Sequence, residues 1–282
     1  MSFQTAEEAI NWYESEERVL TPDFLATIPW NDVHNHPLPA EFVPVLLYMR
    51  DVETFTTMYF DELKRTPTGK DPIIRRFMER WESEETLHGE LLNRFVNETG
   101  FATPANWKKT AFANLPRGYK VKARLQTAIT NLTGKHFTAV HMTWGAIQEL
   151  STLSGYERLW HLGKHPVLEY ILRGIVREEA RHALFYWSLA KIRLAESPIR
   201  QQLARFLVST FWTPVGQGAK LPEDTNVVIK AVFRDEEGLK LMDQRVTKRI
   251  QQLPGFQGFT KFTDRIGQII HSEVPSPLCK TT

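Results

Sequence analysis

An all-α fold is what this sequence predicts, and three observations carry the prediction. Apolar residues recur at helical spacing over most of the chain, and period-2 alternation is scarce. Prolines, glycines and capping residues then divide the chain into segments of helix length. No tandem repeat or low-complexity tract interrupts them. Hydrophobic residues are 42% of the 282 and charged residues 24%, which supplies a sizeable core and excludes wholesale disorder. The expectation is one domain over 1–282: a four-helix core bundle over about 38–196, then extra helices and a tail over about 197–282.

The elements follow in order. Thr5-Ala6-Glu7-Glu8 reads as a capping box that opens a helix to about Val19. Pro22, Pro29, Pro37 and Pro39 punctuate a loop in which His34 and His36 take turn roles. A helix runs from about Ala40 to Lys64, and the next from about Asp71 to Val96. Residues 104–122 are interrupted by Pro, Asn and Lys and hold at most one short helix. A long helix over about 123–152 is weakened at Thr133 and Gly134. Ser154-Gly155 predicts a turn into a short helix over 156–163, with His161 and His165 as surface residues. Pro166 suits the first position of a helix that runs to about Glu196. Ser197-Pro198 restarts a helix ending near Trp212-Thr213-Pro214. Residues 226–252 and 261–271 read as the remaining helices.

Two of these helices carry the same chemical signature, Glu85-x-x-His88 and Glu179-x-x-His182. At about 100° per residue an i,i+3 pair lies within about 60° on one helix face, so carboxylate and imidazole can reach one metal ion. Glu53 precedes Glu85 by 32 residues, and Glu149 precedes Glu179 by 30. A separation near 30 fits an antiparallel hairpin whose two ligand positions lie at similar depth. Two such hairpins, each helix-Glu then helix-Glu-x-x-His, give the ligand pattern of a dimetal carboxylate bundle. Four carboxylates balance two divalent cations, and mixed oxygen and imidazole donors suit iron or manganese. Glu84 and Glu178 precede their ligands by one residue and point about 100° away. Of these two, Glu178 is assigned to accept from a ligand histidine N–H. Asp51 falls on another face from Glu53.

Charge is unevenly spread behind a net of +2. Residues 1–98 hold 9 Lys/Arg and 19 Asp/Glu, net −10, whereas residues 99–148 hold 7 Lys/Arg and no acid, net +7. Glu149 ends that gap. The single cysteine, Cys279, excludes a disulfide framework and a cysteine-ligated cluster within one chain. No apolar run approaches the ~18–20 residues of a membrane helix, and no secretory signal is read at the start, so a cytoplasmic setting is expected.

With these residues in view, the sequence resembles the soluble acyl-[acyl-carrier-protein] desaturases, in their compact bacterial form. The resemblance rests on Trp81-x-x-Glu84-Glu85-x-x-His88-Gly89-Glu90-Leu91-Leu92-Asn93, on Gln148-Glu149-x-x-Thr152, and on Glu178-Glu179-x-Arg181-His182. It covers about residues 35–190, with Leu38-Pro39 to Tyr59 similar to the first ligand helix. It implies a ferritin-like di-iron site, with a manganese–iron pair as the other metal choice. Glu53 and Glu149 would be terminal ligands, Glu85 and Glu179 bridging ligands, and His88 and His182 the nitrogen ligands. Thr152 would lie near the oxygen-binding face, and Trp81 would pack near the site or on an electron path. The implied activity places a cis double bond in a saturated acyl chain carried by acyl carrier protein, with electrons from a ferredoxin, in a homodimer. Lys108, Lys109, Arg117, Lys120, Lys122 and Arg124 are then the expected carrier-docking surface, with nucleic acid disfavoured because no binding motif accompanies them. Hydroxylation or N-oxygenation of another substrate, and iron storage, are the competing readings. A radical-generating reductase subunit is a further competing reading, with Tyr59, near Glu53 in sequence, as its candidate radical. One departure stands out: Glu53 is followed by Thr54-Phe55-Thr56-Thr57, where the family usually has Leu-Pro.

Overall fold

Helices joined by loops, with no strand, build the described chain in the computed structural model, which covers residues 3–119, 127, 130, 131 and 133–272. Four long helices form the bundle: α3 (Phe42–Leu63), α4 (Pro72–Glu98), α6 (Phe137–Gly163) and α7 (Pro166–Ala195). α3 packs along α4 and α6 along α7, each pair closed by a short connection. The breaks are chemical. Asp71 caps α4, its carboxylate accepting from Ile73 N and Ile74 N, and Pro72 and Pro166 occupy first-turn positions where a missing N–H costs nothing. Two glycines allow close approach: a Cβ on Gly89 would lie 2.9 Å from Thr54 Oγ1 on α3, and one on Gly145 would collide with the Tyr186 ring.

Shorter elements close the bundle. α1 (Ala6–Ser15) and α2 (Pro22–Ala26) precede it, and α5 (Trp107–Ala113) follows α4. α8 (Pro198–Phe211) packs on α6 and α7. α9 (Pro222–Phe233), α10 (Glu236–Met242), a π-helical turn over Asp243–Thr247 that runs into α11 (Lys248–Ile250), and α12 (Lys261–His271) cover α3 and α6. α6 is thereby buried around most of its circumference. Arg158, buried on α6, fastens this cover by donating to Val232 O (3.2 Å), Glu237 (2.9 Å) and Asp235.

Several expectations change. The first helix stops at Ser15, because the backbone N–H groups of Val19 and Leu20 turn inward to Glu178 (2.8 and 3.1 Å). Ser154-Gly155 makes no turn: Ser154 Oγ donates back to Leu150 O (2.7 Å), and burial keeps the helix continuous to Gly163. His165 is fully buried rather than on the surface. It caps α7, Nδ1 accepting from Leu168 N (3.3 Å) while Nε2 lies 3.0 Å from Val33 O. The 226–252 segment breaks at Asp235, whose carboxylate accepts from Gly238 N (2.7 Å) and starts α10. Of the long helix expected over 123–152, Thr127, Thr130, Asn131 and Thr133 are helical, a 3₁₀ turn at Gly134–His136 interrupts it, and the continuous helix runs from Phe137 onward.

Candidate metal centre

Each bundle helix delivers its share of one buried cluster. α3 brings Glu53, α4 brings Glu85 and His88, α6 brings Glu149, and α7 brings Glu179 and His182. None of the six is more than 7% exposed. Donor atoms of Glu53, Glu85, His88 and Glu179 all lie within 4.8 Å of one another, and so do those of Glu85, Glu149, Glu179 and His182. The two groups share Glu85 and Glu179, and the sharing is resolved oxygen by oxygen. His88 Nδ1 is 3.4 Å from Glu85 Oε2 and 3.2 Å from Glu179 Oε1. His182 Nδ1 is 2.9 Å from Glu85 Oε1 and 3.5 Å from Glu179 Oε2. Each shared carboxylate therefore presents one oxygen to each histidine.

These atoms lack hydrogen bonds of their own. Glu85 Oε1, both Glu179 oxygens, His88 Nδ1 and His182 Nδ1 are buried without a partner among the described residues. An unsatisfied buried polar group costs about 1–3 kcal/mol, more if charged, so five in one cluster fit a group that binds them all. Metal cations do so, and each four-residue set could hold one.

The far side of each histidine is supported by a carboxylate from the opposite hairpin. His88 Nε2 lies 3.0 Å from Glu178 Oε2, and Glu178 Oε1 also accepts from Val19 N, Leu20 N and Arg181 (3.3 Å). His182 Nε2 lies 2.7 Å from Glu84 Oε2, and Glu84 also accepts from Tyr13 Oη (2.9 Å) and Arg80 Nε (2.8 Å). A carboxylate on Nε2 holds the proton there and leaves the Nδ1 lone pair facing the cluster. The remaining two carboxylates each accept from an aromatic donor. Trp81 Nε1 donates to Glu149 Oε1 (3.1 Å), and Tyr156 Oη donates to Glu53 Oε1.

Electrostatics agree with a cation site. Burial, and then the neighbouring Glu85 charge, push the Glu53 carboxyl well up; burial with Glu179 and Glu85 does the same to Glu149. Burial alone would lower His88 and His182, but the surrounding carboxylates, with Tyr13 for His182, outweigh it and raise both. Without cations, protons have to balance the cluster. Glu84 and Glu178 behave oppositely: burial opposes their ionisation, yet the histidines they face hold them below the usual carboxylate range.

Glu84 is thus no bystander, contrary to its sequence assignment. It lies one residue before its ligand and serves the histidine of the other hairpin, as Glu178 does. Tyr13, Arg80, Arg181 and Tyr156 also escaped the sequence reading. Tyr156 lies two turns after Glu149, a spacing that could have flagged it. Tyr59 packs in a small cluster with Phe112 and Tyr119 instead of reaching the centre. Thr152 and Glu53 both line an apolar cavity of about 70 Å³, whose walls include Met49, Gly155, Trp212 and Val232. Of the expected docking residues, Lys108 is paired with Glu90 (2.5 Å), and Lys109 and Arg117 are exposed. Lys120, Lys122 and Arg124 lie outside the described residues.

Residues 51–207, over half of the chain, match the fatty acid desaturase family. The chain belongs to that family. The matched stretch contains all six cluster residues and both supporting carboxylates, so the family assignment and the buried cluster coincide. No curated protein matches the chain in sequence. Desaturases of this family point to an oxidoreductase, and to iron as the metal. No helix among the described residues is long and apolar enough to cross a membrane.

Proposed function

We propose that this desaturase is an O2-dependent, di-iron acyl-[acyl-carrier-protein] desaturase built on a ferritin-like bundle. One observation carries the reading: two sets of four buried donors share Glu85 and Glu179 within a fatty acid desaturase sequence. The overall change is balanced as saturated acyl chain plus O2, two electrons and two protons, giving a cis-alkenyl chain and two waters. Bound iron would supply the oxygen activation and the removal of hydrogen from unactivated carbon.

The chain's own residues do the rest. Glu85 and Glu179 would be shared by the two ions, Glu53 and Glu149 would each serve one of them, and His88 and His182 would supply nitrogen. Glu178 and Glu84 orient the two imidazoles, and Trp81 and Tyr156 each occupy one oxygen of an outer carboxylate. The cavity beside Glu53 is the candidate seat for the reacting methylenes. Its apolar walls exclude water, and its narrowness fixes which carbon approaches, where about 1 Å of misplacement is costly. Thr152 lines the same cavity as Glu53. A ferredoxin-type donor, a homodimer and a cytoplasmic setting complete the reading. An apolar cavity beside the cluster also favours an organic substrate over iron storage.

The test is turnover of iron-loaded protein with stearoyl- or palmitoyl-carrier protein, ferredoxin, reductant and O2. A monoenoic acyl product supports the proposal. A hydroxylated product would instead assign the same site to hydroxylation, and iron uptake with no acyl product would assign it to storage.

A further inference from the structure

The C-terminal helices present a face that the metal centre does not use. Ile199, Phe206 and Phe211 on α8 are 63%, 59% and 60% exposed, unusual for side chains of this size and type. Ile199 and Phe206 stand two turns apart on one side of the helix. Beside them an open groove of about 400 Å³ is lined by Arg205 of α8 and by Phe259, Lys261 and Arg265 at the start of α12.

Charge on this face is one-sided. Residues 197–222 contain no Asp or Glu, and neither do residues 244–263. Asp264 is the one acid that lines the groove, and Thr260 Oγ1 donates to it (2.6 Å). Arg205 Nη1 donates to Gly255 O (2.8 Å) and Gln257 O (3.2 Å), and Lys261 Nζ donates to Ser209 O. Carbonyls hold these cations in place without cancelling their charge. Among the described residues no carboxylate comes within ion-pair distance of Arg205, Lys261 or Arg265.

The occupant follows from charge and position. A second copy docked by two-fold symmetry would set this patch against itself, cation facing cation, which disfavours it. An acidic protein with apolar anchors complements the patch, since protein interfaces pair aromatic and arginine contacts with opposite potential. Position then selects among acidic proteins. Trp212, next to Phe211, and Ile266, next to Arg265, both line the apolar cavity that reaches Glu53. The cationic groove and the cavity are the outer and inner surfaces of the same two elements.

We propose that the groove between α8 and α12, and not the 108–124 stretch, seats the acidic carrier protein that presents the acyl chain. Arg205, Lys261 and Arg265 meet its carboxylates, and Phe206 and Phe211 meet its apolar side chains. The inference rests on the desaturase reading above.

The test is binding of the full chain to stearoyl-loaded acyl carrier protein, by calorimetry, at two salt concentrations. Arg265→Glu and Phe206→Ser alter exposed side chains, and circular dichroism with iron content checks that each variant is intact. Each is expected to weaken binding at least tenfold, with wild-type affinity falling as salt rises. The double variant Lys109→Glu/Arg117→Glu is expected to change it less than twofold. The reverse pattern would overturn the groove while leaving the carrier reading standing. No binding of carrier protein by the wild type would remove the carrier reading and the groove with it. Arg265-dependent binding to anionic phospholipid vesicles, with none to carrier protein, would overturn the proposal in favour of a membrane surface.

Discussion

Replacing Glu84 by alanine removes a carboxylate that three groups share. His182 Nε2 lies 2.7 Å from it, Tyr13 Oη donates at 2.9 Å and Arg80 Nε at 2.8 Å. Two costs follow. Losing the carboxylate behind a ligand histidine weakens metal binding about 10- to 100-fold, which is about 1.4–2.7 kcal/mol. Tyr13 Oη and His182 Nε2 are also left buried without a partner, at about 1–3 kcal/mol each. Arg80 keeps a bond to Tyr13 O (2.9 Å), so its loss is smaller. The chelator-treated variant should therefore be less stable than the wild type by about 2–6 kcal/mol, read from urea denaturation. Fe(II) titration against a competing chelator should resolve one wild-type-like equivalent and one weakened equivalent, because Glu178 still supports His88. Glu178→Ala should weaken the other equivalent. Two equivalents of wild-type affinity in Glu84→Ala would refute the reasoning that crossed carboxylates orient the histidines.

Other outcomes follow from the same geometry. Tyr156→Phe keeps the ring and removes the donor to Glu53 Oε1; iron affinity should fall about tenfold on the His88 side with little change in Tm, measured by the same titration. Gly155→Ala places a Cβ 3.4 Å from Met49 Cε, an ordinary contact, on the cavity wall; the fold and iron content should persist while turnover shifts toward shorter acyl chains. Arg158→Met removes donors to Val232 O, Asp235 and Glu237, of which the two carboxylates are largely solvated. It should cost about 1–2 kcal/mol, with faster hydrogen exchange confined to α9 and α10. Glu53, Glu149, His88 and His182 all have raised values in the folded chain, so the stability they contribute is full at low pH and lost as pH rises through those values. Chelator-treated protein should thus melt lower at pH 8 than at pH 5, whereas iron binding should tighten over that range and release protons.

Much of this fold and site is legible in the sequence. The helical period and the Pro, Asp and Ser boundaries placed the four bundle helices to within a few residues, apart from the start of α6 and its continuation past Ser154. The doubled Glu-x-x-His spacing and the isolated Glu149 named the six residues that the structure gathers. The turn at Ser154-Gly155 was misread because local propensity favours it, while packing between α6 and the C-terminal helices decides it. His165 was misread because a histidine beside glycine and proline reads as surface, whereas its two nitrogens both find buried partners. Glu84 and Tyr13 were missed for a different reason. Their partners lie 98 and 71 residues away, His182 for Glu84 and Glu84 for Tyr13, and no local period encodes a contact between hairpins.

The central claim is that Glu85 and Glu179 each serve two metal positions. Iron content per chain, measured in the wild type and in Glu179→Ala after anaerobic loading and removal of loosely bound metal, tests it most directly. Two irons in the wild type, with both lost or greatly weakened in Glu179→Ala, is the predicted result. One iron in the wild type, or two irons of undiminished affinity in Glu179→Ala, would contradict it.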